Sequence, residues 1–401
     1  MQTAQTDITR IRQDFPALQH GFAYFDGPGG TQTPVQVAEA ISRTLTGPLS
    51  NRGRNSVSQQ NADNAVLEFR SAFADLLDCK PEGIIYGRSA TALTFDMART
   101  LAADWQAGDE VIVTRLDHDC NVRPWVLAAE AAGARIRWAD FDVETGELPV
   151  AEIENLLSDR TKLVAVTAAS NLIGTMPDVQ AIARTARERG ALVFVDAVHA
   201  VPHALLSLKD LGVDFLVCSP YKFFGPHCGV LAADPELLKG LWPAKLLPSP
   251  DTVPERFEHG TLPYEIMAGA TAAVNYLASI ARDAVGSRRQ RLADSYALIA
   301  EHEDSLLRRL ETVISDLDGV TNWSRASRRT PTLLLTFADR PAASVAARLL
   351  EADVFAPAGH FYAWEASQLL GLGAEGGLRI GLAPYTSADD VDRLLEVLRA
   401  L

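Results

Sequence analysis

Apolar residues recur in two alternating rhythms between about residues 60 and 235. NADNAVLEFRSAFADLLD (61–78) repeats at helical spacing, and GIIYG (83–87) is a short apolar run. A second helical pattern covers 91–105. EVIVTR (110–115) and ARIRWAD (134–140) are strand-like and flank a helix over 121–133. KLVAVTAA, ALVFVDAV and VDFLVCS follow as further apolar runs, with a helix at 178–190 after the first. Strands alternating with helices predict parallel βαβ units and a sheet covered on both faces.

From about residue 265 the pattern changes. Two long helical stretches (266–282 and 286–312) precede TPTLLLTF, a helix at AASVAARLLEA, the strand LRIGLAP and a final helix. Ser387 with Asp390 three positions on predicts a capped start for that last helix. This reads as a smaller α+β domain. PAKLLPSPDTVPERFEHGT (243–261) is expected to be a long ordered loop, too apolar for a linker.

Composition narrows the picture without deciding it. With 401 residues, 47% of them hydrophobic, the chain can build a sizeable core and two domains. A formal net charge of −14 argues against nucleic acid or an anionic membrane as partner. No apolar stretch approaches the ~18 residues of a membrane span. The first residues lack the basic-then-apolar order of a signal peptide, so a cytoplasmic location is expected. Cys79, Cys120, Cys218 and Cys228 are scattered, with no metal-ligand spacing; neither a disulfide framework nor a metal site is expected.

The candidate chemistry sits after the apolar runs, where open parallel sheets collect functional residues. Ser89, Ala90 and Thr91 open a helix whose free N–H groups suit a phosphate, although such residues are commonly plain caps. His118 follows EVIVTR, and Asn171 follows VAVTAAS. Asp196 and His199 follow ALVFV; an acid ending a buried strand needs a cationic partner. Ser219, Tyr221 and Lys222 follow VDFLVC. Pyridoxal phosphate (PLP) requires this set: an amine for its aldehyde, a carboxylate at its pyridine nitrogen, donors for its phosphate and an aromatic cover for its ring.

These residues resemble the class V aminotransferase superfamily of fold-type I PLP enzymes, specifically its cysteine desulfurase/selenocysteine lyase group. The resemblance runs from AYFDGPGGTQTP (23–34) to LRIGLAPYTSADDVDRLLEVL (378–398) and is most specific over GALVFVDAVHAVPH…VDFLVCSPYKFFGPHCGVL (190–231). It implies an α/β fold with a large domain (30–265), in which helices sandwich a mostly parallel seven-stranded sheet. It further implies a small C-terminal α+β domain (266–401) and an N-terminal segment (1–29) packed with it.

By the same resemblance Lys222 is the Schiff-base lysine, Asp196 the acid at the pyridine nitrogen and His118 the ring-stacking histidine. His199 stands where a glutamine usually lies near the ring O3′ oxygen. Ser219 and Tyr221, with Ala90 and Thr91, fall at phosphate-binding positions, and Asn171 lies near cofactor and substrate. Arg379 would grip a substrate α-carboxylate, a bidentate task suited to guanidinium. Gly260 and Thr261 would reach the other subunit's cofactor phosphate, implying a homodimer with shared sites.

One departure bears on the reaction. Desulfurases carry a mobile cysteine shortly before the carboxylate-binding arginine; here APAGHFYAW (356–364) puts Tyr362 at that position, and no cysteine follows Cys228. A phenol cannot carry a persulfide. His360, Phe361, Tyr362 and Trp364 would instead line the substrate mouth. The expected activity is therefore a PLP-dependent reaction of a free L-amino acid, most simply a C–S lyase of the β-elimination type. The alternatives are an aminotransferase or epimerase, a decarboxylative aldolase, and, in another class, a catalytically silent PLP-fold binding protein.

Overall fold

The computed structural model describes residues 2–401, with side chains from residue 8 onward. Its strands are β1 (Ala23–Tyr24), β2 (Ile84–Gly87), β3 (Glu110–Thr114), β4 (Arg135–Ala139), β5 (Thr161–Thr167), β6 (Leu192–Asp196), β7 (Phe215–Cys218), β8 (Gly229–Ala233), β9 (Val320–Asn322), β10 (Thr332–Phe337), β11 (Val354–Phe355), β12 (Ala358–Gly359) and β13 (Gly377–Gly381). Seven of them form the main sheet in the order β2-β8-β7-β6-β5-β3-β4. β7, β6, β5, β3 and β4 run parallel, and β8 is antiparallel to both its neighbours. This is the mostly parallel, seven-stranded α/β sheet expected from the sequence.

The apolar runs lack polar alternation because both faces of the sheet are covered. Successive residues of one strand enter different cores. Ile112, Val164, Val166, Val193, Val195, Leu216 and Val230 pack on one side. Val111, Val113, Leu163, Ala165, Phe194, Phe215, Val217 and Leu231 pack on the other, against Trp125, Leu93 and Met97. The edge strand β4 is the exception: Arg135 and Arg137 leave it partly exposed, as suits an edge that must not pair with another chain.

The C-terminal third builds a four-stranded antiparallel sheet, β12-β13-β10-β9. Its own core joins Leu333, Leu335, Leu378 and Ile380 to Leu394 and Leu398 of the final helix, Ala388–Arg399. That helix begins with the expected capping box of Ser387 and Asp390. The N-terminal residues touch both regions. β1 pairs in parallel with β11, while Phe15 packs its ring against Phe224 and Tyr385, each 5.1 Å away, and Tyr276 at 5.7 Å.

The 243–261 stretch is irregular apart from one short turn, Glu255–Phe257. Arg70, itself buried, pins its end by bridging Glu255 at 2.7 Å and Glu258 at 2.8 Å. Among the described residues no helix is long and apolar enough to cross a membrane.

Phe194 lies at the centre of the second core, with Trp125 edge-on at 4.9 Å and Phe215 at 5.9 Å. Replacing it with alanine is expected to cost roughly 3–5 kcal/mol, read as an earlier midpoint in urea unfolding with the folded far-UV spectrum retained.

Candidate active site

The carboxyl ends of β2, β3, β5, β6 and β7 open onto one cavity of about 610 Å³. Its lining includes Ala90, Thr91, His118, Asn171, Asp196, His199, Ser219, Tyr221, Lys222, Tyr362 and Arg379. Eleven residues chosen from sequence thus meet, although almost 290 positions separate the first from the last. The first strand delivers its share through a close approach. Gly229 on β8 passes beneath the start of the Ala90–Ala102 helix, where a Cβ would come within 2.3 Å of the Ser89 carbonyl carbon. Ser89 caps that helix by accepting from Ala92 N–H, leaving the Ala90 and Thr91 end facing the cavity.

Asp196 is buried at the end of β6. The cation that its burial requires is not in ion-pair contact with it. Oδ1 accepts from the Val198 N–H at 2.9 Å, and Oδ2 from the Cys120 thiol at 3.4 Å. Burial raises its pKa against those hydrogen bonds and the more distant charge of Lys222. Beside it Asp117 is fully buried, bonded by Thr114, Asn121 and the Thr167 N–H. Burial pushes its pKa up to about 8, those bonds oppose the rise, and the charge of Asp196 adds to it. The cavity therefore has in its lining a buried carboxylate with no ion-pair partner among the described residues.

Lys222 lies just beyond β7, and its amine does not pair with that carboxylate. Nζ donates to the carbonyls of Pro28 at 2.5 Å and Gly29 at 2.9 Å. Burial lowers its pKa to about 7, with the Arg379 charge contributing and Asp196, Cys120 and Asp26 opposing. His118 accepts the Cys120 N–H at Nδ1, 3.0 Å. Burial, then Lys222 and Arg379, takes its pKa down to about 4, so the ring is neutral at physiological pH. It stacks on Tyr362 with 5.5 Å between ring centres.

Arg379, on β13, is 2% exposed and has no carboxylate partner among the described residues. Nη1 donates to the Asn171 carbonyl at 2.9 Å, the guanidinium lies 3.6 Å from the Phe361 ring centre, and Nε has no partner. Burial lowers its pKa to about 9, opposed by Asp26 and Tyr221. The loop holding Phe361 and Tyr362 is strained: both residues are left-handed, with φ of 49° and 60°. The Asn171 amide, donating to Phe361 O at 2.9 Å, and the Asp119 N–H, donating to Tyr362 O at 2.8 Å, hold it there.

Four expected residues are not in the cavity lining. His360 turns away, packing its ring on Trp364, also outside the lining, at 5.4 Å and accepting the Tyr362 N–H at 3.2 Å. Gly260 and Thr261 lie exposed on the pinned loop. Phe361, expected at the substrate mouth, does line the cavity, as does Cys120; Pro28, Gly29 and Phe95 line it too and carry no local signal in the sequence. Asp26, half-buried with its Oδ1 shielded from solvent and unpartnered, has its pKa raised by burial to about 6. Among the described residues no group of histidine, cysteine and acidic side chains could hold a metal ion.

The donor set fits PLP. A free amine, an unpaired buried carboxylate, a helix start with free N–H groups beside Ser219 and Tyr221, and a neutral imidazole face one space. The class-V aminotransferase model matches residues 23–394, and the chain belongs to that family. Its relatives include several cysteine desulfurases, and the chain is a PLP-dependent enzyme. The uncharacterized protein MT3887 of Mycobacterium tuberculosis is 32% identical over 98% of this chain and 99% of its own length. A cysteine desulfurase of Pectobacterium atrosepticum is 28% identical over 98% of each chain. The crystal structure of the Escherichia coli cysteine desulfurase CsdA superposes with a TM-score of 0.86 at 25% identity, covering 98% of each chain.

The Lys222 amine is expected to behave as a group of pKa about 7. In the cofactor-free protein, capture by PLP followed by borohydride reduction should rise with pH to half its maximal rate near that value. Above it the amine is neutral and nucleophilic, below it protonated and inert. A midpoint near the ordinary lysine value of about 10.4 would contradict the buried setting.

Proposed function

We propose that the enzyme acts on a free L-amino acid with a sulfur-bearing side chain, as a C–S lyase of the β-elimination type. The observation that carries this reading is the thiol inventory. No cysteine follows Cys228, and Cys120 is the one cysteine of the cavity lining. Its thiol is committed to Asp196, and burial, then the charge of Asp196, pushes its pKa well above the usual value. A protonated, buried thiol is a poor nucleophile. Tyr362 cannot hold a transferred sulfur.

When bound, PLP supplies an electrophilic carbon for the substrate amine and an electron sink for charge developing at Cα. The remaining roles fall to the chain's own side chains. Arg379, lacking an internal carboxylate, binds the substrate α-carboxylate, with Asn171 fixing its direction. Asp196 holds the proton of the ring nitrogen by offering a carboxylate in a dry setting, where the attraction is strong. His118 covers the ring as a neutral imidazole, and His199 lies toward O3′. Ala90, Thr91, Ser219 and Tyr221 hold the phosphate.

Lys222, near neutrality, takes the proton from Cα and is the source of a proton for the departing thiolate. With cysteine and water the balance is sulfide, pyruvate and ammonia, with no net redox change. Two copies of the chain share their sites in this reading, Gly260 and Thr261 of each reaching the other's phosphate.

Incubation with L-cysteine should give sulfide and pyruvate in equal amounts. Alanine with a protein-bound persulfide would refute the elimination reading, and a keto acid without sulfide would favour transamination. Arg379→Gln should lower kcat/KM about 100-fold, the effect of losing a charged pair of hydrogen bonds worth roughly 1.5–3 kcal/mol, mainly through KM.

A further inference from the structure

His199 lines the cavity, yet its better-defined contacts lie behind it, on the other sheet. Nε2 is 3.0 Å from Thr330 Oγ1 and 3.0 Å from Thr332 Oγ1. Thr332 begins β10, and Thr330 stands two residues before it. The imidazole is therefore aimed by hydroxyls more than 130 positions away in sequence. Among the described residues Nδ1 has no hydrogen-bond partner, so the ring presents one uncommitted nitrogen.

The hydroxyl protons can be followed. Thr330 Oγ1 lies 3.4 Å from the Gly174 carbonyl and 3.2 Å from Thr332 Oγ1. Thr330 can donate to either, so its proton has an outlet away from the imidazole. Among the described residues Thr332 Oγ1 has only Thr330 Oγ1 and the His199 nitrogen within reach. An imidazole nitrogen at 3.0 Å is a stronger acceptor than a hydroxyl at 3.2 Å, and a buried hydroxyl must place its proton. Nε2 then accepts, and the ring's single proton falls on Nδ1.

We propose that Thr332, supported by Thr330, is a positioning residue: it fixes His199 as the Nδ1–H tautomer and so gives the cavity one aimed neutral donor. The acceptor it addresses is an anionic oxygen on the cofactor ring, which rests on the PLP reading above.

The surroundings keep this donor from becoming a cation. His199 is buried, and burial, then His203, Arg379 and Lys222, holds its pKa well below the usual value. His203 meets it edge-on at 5.4 Å and has its own partner, Glu303, 2.9 Å from Nδ1. Both members of that pair are buried, so His203 is held in place by an acid that His199 does not touch. A donor of this kind loses no proton to an oxyanion while stabilising it, as a preorganised neutral donor should.

The test reads the tautomer directly, by long-range ¹H–¹⁵N correlation of labelled histidines, in protein with and without bound PLP. His199 should carry its proton on Nδ1 in both states. Because Thr330 Oγ1 is equally close to Nε2 and can donate in place of Thr332, both hydroxyls are removed together: Thr330→Val with Thr332→Val should move that proton to Nε2 and weaken PLP binding about tenfold, the loss of one aimed hydrogen bond. Thr332→Ser, which keeps the hydroxyl, should leave both as in the wild type. An Nε2–H ring in the wild type, a double-valine ring still protonated on Nδ1, or double-valine affinity within a factor of two of wild type would overturn the proposal. Should the double variant fail to fold, an Nε2–H ring in the wild type or in T332S still overturns it. A protein that never binds PLP would sink the cofactor reading, while the tautomer in the unloaded protein would still judge this one.

Discussion

A carboxylate buried at the end of β6 with no cation in contact is the constraint around which the site is arranged. Ionised and unpaired, such a group is costly in a dry interior. Asp196 is relieved only in part, by one backbone N–H and one thiol. Asp117, fully buried next to the ring-side histidine His118, has its own pKa raised by burial to about 8, and the charge of Asp196 adds to that rise. The one amine nearby is held off on the carbonyls of Pro28 and Gly29. A protonated heterocyclic nitrogen held over Asp196 would supply the counter-charge that a buried carboxylate needs, which is the role proposed for it.

The fold makes that arrangement affordable. Each strand of the main sheet divides its side chains between two separate cores, so the strand ends are held from both faces and cannot relax toward a missing partner. The second sheet then closes the cavity from above. β13 brings Arg379, and the start of β10 brings the threonine hydroxyls to His199. The strained Phe361–Tyr362 loop is fixed by Asn171 and Asp119 from the main domain's side. The shape of the cavity is thus a property of the contact between the two sheets, and a shift of one against the other would disturb Arg379 and His199 together.

Much of this was legible in the sequence because the signals are local. Continuous apolar runs such as VAV and VFV mark strands buried on both faces, and a residue directly after such a run is at a strand end. Lys222, Asp196, His118 and Asn171 could be picked out for that reason. Contacts between residues far apart in the chain have no such mark. Nothing near Lys222 says that its amine rests on Pro28 and Gly29, 193 and more positions away. Nothing near Arg379 says that Phe361 lies under its guanidinium. Burial at a strand end marks Asp196 as needing a cationic partner, but the sequence does not say that its nearest donors are the Val198 N–H and the Cys120 thiol. His360 stands two positions before Tyr362 but packs on Trp364, because the left-handed pair Phe361 and Tyr362 turns the chain between His360 and Trp364.

The protonation state of the cofactor's ring nitrogen tests the account most directly. Protein loaded with PLP labelled with ¹⁵N at that atom should give the chemical shift of a protonated pyridine in the wild type, and that of an unprotonated one in Asp196→Asn. An unprotonated nitrogen in the wild type, or a shift that ignores the substitution, would contradict the claim that the unpaired Asp196 carboxylate organises this site.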